Sequence, residues 1–110
     1  MVKVMICQPM SNIPEEVVLE KREAAKKHAA ELLNERLHPA EELEIDFIEN
    51  YVYEDAPAEA SNLWYLGRSI QMAGTADFLY FVDGWKNANG CKVESLIAEL
   101  YEIPILYKKE

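Results

Sequence analysis

The stretch DFLYFVDGWKNANGCKVESLIAEL, residues 77–100, decides the fold because a strand, a loop and a helix follow one another in it. Residues 77–82 are almost continuously apolar and aromatic, which is typical of a strand buried on both faces of a sheet. Residues 83–91 combine glycine and asparagine around one tryptophan. Residues 92–101 predict a helix with Glu94 in its first turn. This succession is the repeating unit of a parallel α/β fold.

The same alternation runs through the rest of the chain. The other predicted elements are a strand at 2–7, a helix at 15–37, a strand at 43–49, a helix from Ser61 or Asn62 to about Ala73 ended by Gly74, and a strand at 105–108. The order β-α-β-α-β-α-β predicts a three-layer, flavodoxin-like or Rossmann-like fold, with a parallel sheet of four to five strands and helices on both faces. At this length we expect one domain over residues 1–110.

The first helix carries local signals as well. Ser11 or Asn12 is a candidate cap, and Pro14 stands at a position that favours a helix start. Within the helix, Glu23 and Lys27 have the spacing of an i,i+4 ion pair.

The composition excludes several classes of function. The formal net charge is −9, and no lysine or arginine occurs between Leu37 and Gly67, which argues against nucleic acid or an anionic membrane as partner. The acidic stretch is interpreted as a solvated edge, or as a rim that repels competing anions. No signal peptide or membrane span is predicted.

The cysteines and histidines predict no metal site. Cys7 and Cys91 lie on different elements without the spacing of a zinc site, and two free thiols indicate a cytoplasmic protein. His28 and His38 lie on or just past the first helix and are expected at the surface. No metal and no organic cofactor is predicted.

In a parallel sheet of this kind, ligands bind beyond the carboxyl ends of the strands. The loops 8–13 and 83–91 leave the two strands expected at the centre, so they are the candidate site. Gly84 and Gly90 allow the backbone to approach a ligand closely, and the helix that starts near Gly90 directs free N–H groups at it. Glu94 adds a carboxylate at the same place.

Each of these side chains also has an ordinary structural explanation. Glu94 fits the preference for acids in the first turn of a helix. Trp85 fits an aromatic packed over a strand end, Asn87 and Asn89 are common turn formers, and Asp83 fits the end of a strand.

Four segments resemble a known group of proteins. The residues MICQPMS at the first strand end, LWYLGRS on the second helix, and ADFLYFVDGWKNANGCKVE with the following IA are similar to the DUF4406 family, within the nucleoside 2-deoxyribosyltransferase-like superfamily. The similarity covers nearly the whole chain and is more distant to the characterised enzymes. It implies that Glu94 is a nucleophile that attacks the anomeric carbon and displaces the base. Gly90 matches the loop glycine, and the loop from Gln8 to Asn12 matches the segment that contacts base or sugar.

The sequence departs from the enzymes at two positions. Ser69 stands where an aspartate is usual, and a serine does not supply the same charge or proton transfer. Ala88 stands at the position where those enzymes carry an acid or a serine that recognises the 5′ group of the substrate. Lys86 and Lys92 lie close by and are candidates to hold a phosphate, or are solvated surface lysines.

The resemblance implies an enzyme that acts on the N-glycosidic bond of a nucleoside or nucleoside 5′-monophosphate, and a homo-oligomer. The predicted site has Glu94 as the catalytic residue and Gln8, Pro9, Met10, Ser69, Asp83, Gly84, Trp85, Asn87, Asn89 and Gly90 as substrate-binding residues. Two alternatives stay open. One is a nucleotide-binding or sensor domain without activity, and the other is a flavin or signalling domain, which lacks its expected phosphate loop.

Overall fold

The computed structural model describes residues 1–109, in which four strands alternate with three α-helices. The strands are β1 (Val2–Cys7), β2 (Ile45–Phe47), β3 (Phe78–Phe81) and β4 (Ile105–Lys108), and the helices are α1 (Glu15–Leu37), α2 (Asn62–Ala73) and α3 (Asn89–Leu100). A short 3-10 turn over Trp85–Asn87 lies between β3 and α3.

All four strands are parallel, in the order β2-β1-β3-β4. The predicted three-layer α/β fold is therefore confirmed, including the adjacency of the first and third strands. Cys7 pairs with Phe81 at the carboxyl end of this central pair. Strand order reverses between β1 and β3, because the chain moves outward to β2 on one side and to β4 on the other. This reversal is where doubly wound sheets form ligand crevices.

The helices cover both faces of the sheet because side chains alternate along β1. Val4 and Ile6 face α1 and pack with its buried Ala29 and Leu33. On the other face, α2 and α3 bury a second cluster, whose members are Met5, Cys7, Ala73, Leu79, Phe81, Cys91 and Ala98. No helix within residues 1–109 has both the length and the apolar composition to cross a membrane.

Helix α1 has the predicted bounds but not the predicted local contacts. Pro14 is its N-cap residue, no side chain caps it, and Asn12 instead takes a left-handed turn with φ 61°. The helix therefore starts on the fixed φ of proline, and the expected caps at Ser11 or Asn12 are wrong. Glu23 pairs with Lys26 at 3.5 Å rather than with Lys27.

Two other predicted elements, β2 and α3, have different bounds in the structure. Ser61 caps α2 by accepting the N–H of Trp64 at 3.2 Å, as predicted. Helix α3 begins three residues earlier than predicted, and its first ladder bond runs from the Lys92 N–H to the Ala88 carbonyl at 3.0 Å. Glu94 therefore lies in the second turn. Strand β2 is shorter than the predicted 43–49 because the chain turns away after Ile48, whose N–H is the last to reach β1.

Candidate functional site

The two predicted loops meet at the carboxyl edge of the sheet. Cys7 ends β1 and Phe81 ends β3, side by side, and the loops 8–13 and 83–91 leave from there. A Cβ added to Gly84 would lie 4.0 Å from Cγ of Pro9, which places the two loops in contact. Gly84 has a φ of 94°, a left-handed conformation that glycine adopts without strain.

Glu94 is a buried carboxylate in this region. Its side chain is 6% exposed, and the Ser69 hydroxyl donates a hydrogen bond of 2.5 Å to its Oε2 atom. Burial raises the pKa of Glu94, while hydrogen bonding by Ser69 and Cys7 lowers this pKa in part. Among residues 1–109, no lysine, arginine or histidine forms a salt bridge with Glu94.

This environment removes the ordinary explanation of Glu94. An acid that is selected for the helix dipole sits exposed in the first turn, whereas Glu94 is buried in the second. A buried carboxylate without a cationic partner costs stability. Ionisable groups with such perturbed pKa values are enriched at functional sites.

Two thiols lie beside the carboxylate. Cys7 and Cys91 are free and are 1% and 2% exposed. Burial and the nearby Glu94 charge raise the pKa of Cys7 well above its usual range and raise the pKa of Cys91 to about 12. Both cysteines therefore stay protonated near neutral pH, so they act as weak hydrogen-bond donors and not as thiolate nucleophiles. The sequence interpretation did not include Cys7 in the site, although its place at a strand end was a usable signal.

An aromatic cluster lies on the α2 side of Glu94. The Tyr53 ring contacts the rings of Trp64 and Tyr65, with centroids 6.1 and 5.7 Å away. Burial raises the pKa of Tyr53, and a hydrogen bond with the Ser69 side chain lowers this pKa in part. Ser69 is therefore near both the Tyr53 hydroxyl and the Glu94 carboxylate. Tyr53 comes from an irregular segment without periodicity, so no sequence signal marked it.

A buried arginine fixes the loop after β1. Arg22, 3% exposed on α1, donates to Oε1 of Gln8 at 3.1 Å and to Oδ1 of Asn50 at 2.6 Å. Gln8 in turn donates to the Val18 carbonyl at 3.1 Å, and Asn50 donates to the Ile6 carbonyl at 2.8 Å. Both the oxygen and the nitrogen of the Gln8 side-chain amide thus form hydrogen bonds within the protein. Arg22 occupies a position within the apolar stripe of α1. A charged residue at such a position was the sequence signal for this network.

Four of the predicted residues, Asp83, Gly84, Trp85 and Asn87, line a separate pocket. Its volume is about 350 Å³, and its lining residues are Asp83, Gly84, Trp85, Lys86, Asn87 and Lys109. Glu94 does not line this pocket. The structure therefore divides the predicted residues between a buried group around Glu94 and an exposed group around Trp85.

Trp85 is held by contacts within the chain. Its ring lies 5.7 Å from the Phe81 ring, and its indole N–H donates to the Lys109 carbonyl at 2.7 Å. The ammonium group of Lys108 lies 5.2 Å from the centre of the Trp85 ring. Asp83 accepts a hydrogen bond from the Tyr107 hydroxyl at 3.0 Å. These contacts match the packing alternative for Trp85, and Asp83 follows the end of β3, as its structural alternative has it.

The remaining predicted residues are placed as follows. Met10, Asn87 and Asn89 are exposed, Pro9 is half-buried, and Gly90 lies in the first turn of α3. Leu66 of α2 lies 3.9 Å from a Cβ built at Gly90, so this glycine faces the neighbouring helix rather than open space.

His28 is half-buried rather than fully exposed, so the predicted surface position holds only in part. Its Nδ1 atom forms a 2.6 Å hydrogen bond with the Tyr80 hydroxyl, and its ring meets Tyr80 and Tyr107 edge-on. His28 thus packs into the α1 side of the sheet. His38 is exposed, as predicted. Within residues 1–109, no group of three or more histidine, cysteine or acidic side chains is arranged to hold a metal ion.

A larger pocket of about 600 Å³ lies at the amino edge of the sheet, lined by Met1 and residues 41–45. Parallel sheets do not place ligands at this edge, so the carboxyl edge stays the candidate site. The chain matches no protein-family model, no curated protein and no solved structure.

Proposed function

We propose that this protein is an N-glycosidic-bond enzyme that acts on nucleosides or nucleoside 5′-monophosphates, with Glu94 as the nucleophile. The observation that carries the proposal is a buried, hydrogen-bonded carboxylate without a salt-bridge partner, beside the carboxyl end of the central strand pair. The sequence resemblance assigns the same residue this role.

The proposed reaction has two displacements. An oxygen of the ionised Glu94 carboxylate forms a bond to the anomeric carbon, and the bond from that carbon to the base nitrogen breaks with its electron pair on the base. Water or a second base then attacks the anomeric carbon and releases Glu94. Hydrolysis and transfer share the first displacement. The departing base takes up a proton from solvent, and the attacking water or second base returns a proton to solvent in the second displacement.

Ser69 is proposed to orient the nucleophile. Its hydroxyl is bonded to Oε2, which leaves the other carboxylate oxygen, Oε1, free of that bond. The Ser69 bond also opposes the rise in the Glu94 pKa that burial causes. Because only the ionised carboxylate attacks, base release is expected to increase with pH as Glu94 loses its proton.

A second candidate is a nucleotide-binding or sensor protein without activity. The observation that favours it is that, within residues 1–109, no second carboxylate shifts the pKa of Glu94. Retaining glycosidases use a pair of carboxyl groups, and Ser69 stands where the related enzymes carry an aspartate. The leaving base would then have no carboxyl group to assist it.

The test is a panel of nucleosides and 5′-monophosphates, with and without a second base, followed by chromatography for free base. We expect base release by the wild-type protein, and a loss of several orders of magnitude in Glu94→Gln with little change in ligand affinity. The control is Glu31→Gln, an exposed acid on α1 that lies outside both the candidate site and the exposed face of α3. Binding without base release would favour the sensor, and full activity of Glu94→Gln would refute the nucleophile.

The partner proposed for this chain is a second copy of itself. Leu96 and Leu100 are 53% and 66% exposed on α3, with Lys92 and Glu99 on the exposed side of the same helix. If two copies of α3 pack antiparallel about a two-fold axis near Leu96, Lys92 lies opposite Glu99 of the partner subunit. The face is thus apolar at its centre and self-complementary in charge at its ends. The net charge of −9 disfavours nucleic acid as a partner.

A further inference from the structure

The carboxylate and both thiols of the candidate site are closed off from solvent. Glu94, Cys7 and Cys91 are 6%, 1% and 2% exposed, and neither pocket described above includes any of them. A nucleophile has to approach its reacting carbon to within about 3–3.5 Å. Part of the protein around Glu94 must therefore move before a substrate can reach it.

Side chains from four parts of the chain lie at or near Glu94. Cys7 belongs to β1, Ser69 belongs to α2, and Glu94 itself belongs to α3, all of them held by regular backbone hydrogen bonds. The fourth part is the segment 51–60, which carries Tyr53 and contains no helix or strand. An irregular segment has the smallest number of backbone bonds to lose, so it is the part that moves at the lowest cost.

The segment 51–60 is held most firmly at its ends, and the Tyr51 hydroxyl adds an exposed hydrogen bond of 3.2 Å to Oε1 of Glu15. Asn50, before it, is buried and bonded to Arg22 and to the Ile6 carbonyl. Ser61, after it, is the N-cap of α2. Between these anchors, the Tyr53 ring contacts Trp64 and Tyr65, and Asp55 forms a 3.3 Å salt bridge with Arg68.

That salt bridge is a weak attachment. The side chains of Arg68 and Asp55 are 35% and 62% exposed, and ion pairs at such positions contribute little to stability. The Arg68 guanidinium also keeps a buried Nε–H without a hydrogen-bond partner among the described residues, so the closed arrangement leaves one donor unsatisfied.

We propose that residues 51–60 form a strap that closes the Glu94 site, and that the Tyr53 ring occupies the place of the substrate base when the strap is shut. Tyr53 is flat and aromatic, lies beside Ser69, and packs against two aromatic rings of α2. Opening about Asn50 and Ser61 withdraws this ring and leaves Trp64 and Tyr65 to stack on a base. The need for opening and the identity of the ligand rest on the proposed function, whereas the opening of the strap can be measured without any ligand.

Thiol labelling tests the strap without any ligand. Cys7 and Cys91 lie beside Glu94, so the rate at which a small alkylating reagent modifies them under native conditions reports opening. We expect Arg68→Gln to increase the labelling rate about two- to fivefold, since it removes one weak attachment. Tyr53→Ala is expected to increase the rate by tenfold or so, because it removes the ring that fills the site.

Two controls separate strap opening from unfolding. Lys26→Gln breaks the Glu23–Lys26 pair on α1, far along the chain from the strap, and should leave the labelling rate unchanged. Low concentrations of urea should barely change the labelling rate if only the strap opens, because little surface is exposed. Wild-type labelling rates in both strap variants, or a urea dependence equal to that of global unfolding, would overturn the proposal.

Nucleotide binding tests the place of Tyr53. Measured by calorimetry with 2′-deoxynucleoside 5′-monophosphates, Tyr53→Ala should bind several-fold more tightly than the wild-type protein, because no ring competes with the base. Weaker binding by Tyr53→Ala would overturn the assignment of Tyr53 as the group that occupies the base position. If neither protein binds any nucleotide although the labelling rate rises as expected, the strap is supported and the proposed function is refuted.

Discussion

Replacing Glu94 with glutamine should stabilise the fold at neutral and alkaline pH, and the gain should vanish in acid. Burial raises the pKa of Glu94 in the folded protein, while the pKa in the unfolded chain stays at about 4.3. Between these two pKa values the folded state binds more protons than the unfolded state. The free energy of unfolding of the wild-type protein therefore decreases as the pH rises through this interval, and stays lower above it. The glutamine side chain does not titrate, so the variant lacks this pH-dependent loss of stability.

The expected gain follows from the surroundings of Glu94. Desolvating a buried polar or charged group costs about 1–3 kcal/mol, and a hydrogen bond to a charged group is worth about 1 kcal/mol more than a neutral one. Glutamine keeps an acceptor for the Ser69 hydroxyl and relieves the desolvation, so the net gain is about 1–2 kcal/mol. An unfolding entropy of about 2.1 cal/mol/K for each of 110 residues converts this into about 4–9 °C in Tm.

Circular dichroism melts of both proteins near pH 4 and pH 8 provide the assay. The difference in Tm between Glu94→Gln and the wild type should be positive near pH 8 and close to zero near pH 4, below about the unfolded pKa. Glu31→Gln, at an exposed position on α1, should change Tm little at either pH. If Glu94→Gln is less stable than the wild type near pH 8, the carboxylate gains more from Ser69 and Cys7 than burial costs it, and the reasoning fails.

Three further predictions concern other parts of the molecule. In urea titrations, Gly84→Ala should lower the free energy of unfolding by about 1–2 kcal/mol, because the φ of this residue is 94°. Gly67→Ala should raise the free energy of unfolding by up to ~1 kcal/mol, because that position is helical and has open space for a methyl group. Arg22→Ala should cost about 3 kcal/mol in the same measurement, since it leaves buried acceptors unpaired; a loss under 1 kcal/mol or so would show that water replaces the guanidinium. Leu96→Lys should convert an oligomer into monomers in analytical ultracentrifugation. Leu19→Lys, the same substitution at an exposed leucine of α1, should not.

The architecture was predictable because its signals are local. The apolar runs that became β1 and β3 predict buried strands by length and composition, and the 3.6-residue spacing of α1 predicts its face. Short connections and the parallel alternation then leave few topologies, so the central strand pair and its carboxyl edge follow. The start of α3 was not predictable, because residues 89–91 are compatible with both a loop and the first turn of a helix.

The candidate site was predictable only in part. Arg22 was visible as a charge within an apolar stripe, but its acceptors, Gln8 and Asn50, are 14 and 28 residues away along the chain. Tyr53 lies in a segment without periodicity, so no pattern placed its ring on α2. The predicted residues around Trp85 were assigned to one pocket with Glu94, and the fold separates the two groups.

The order and type of the elements, the sheet they form, and the loops that leave its carboxyl edge all follow from the sequence alone. These properties depend on residue periods, on proline and glycine positions and on chain length, all of which are local. Only the tertiary structure decided that Glu94 is buried beside Ser69 and two thiols and that Tyr53 lies next to that pair. Burial and pKa depend on which atoms displace water around a group, and here those atoms come from four separate parts of the chain.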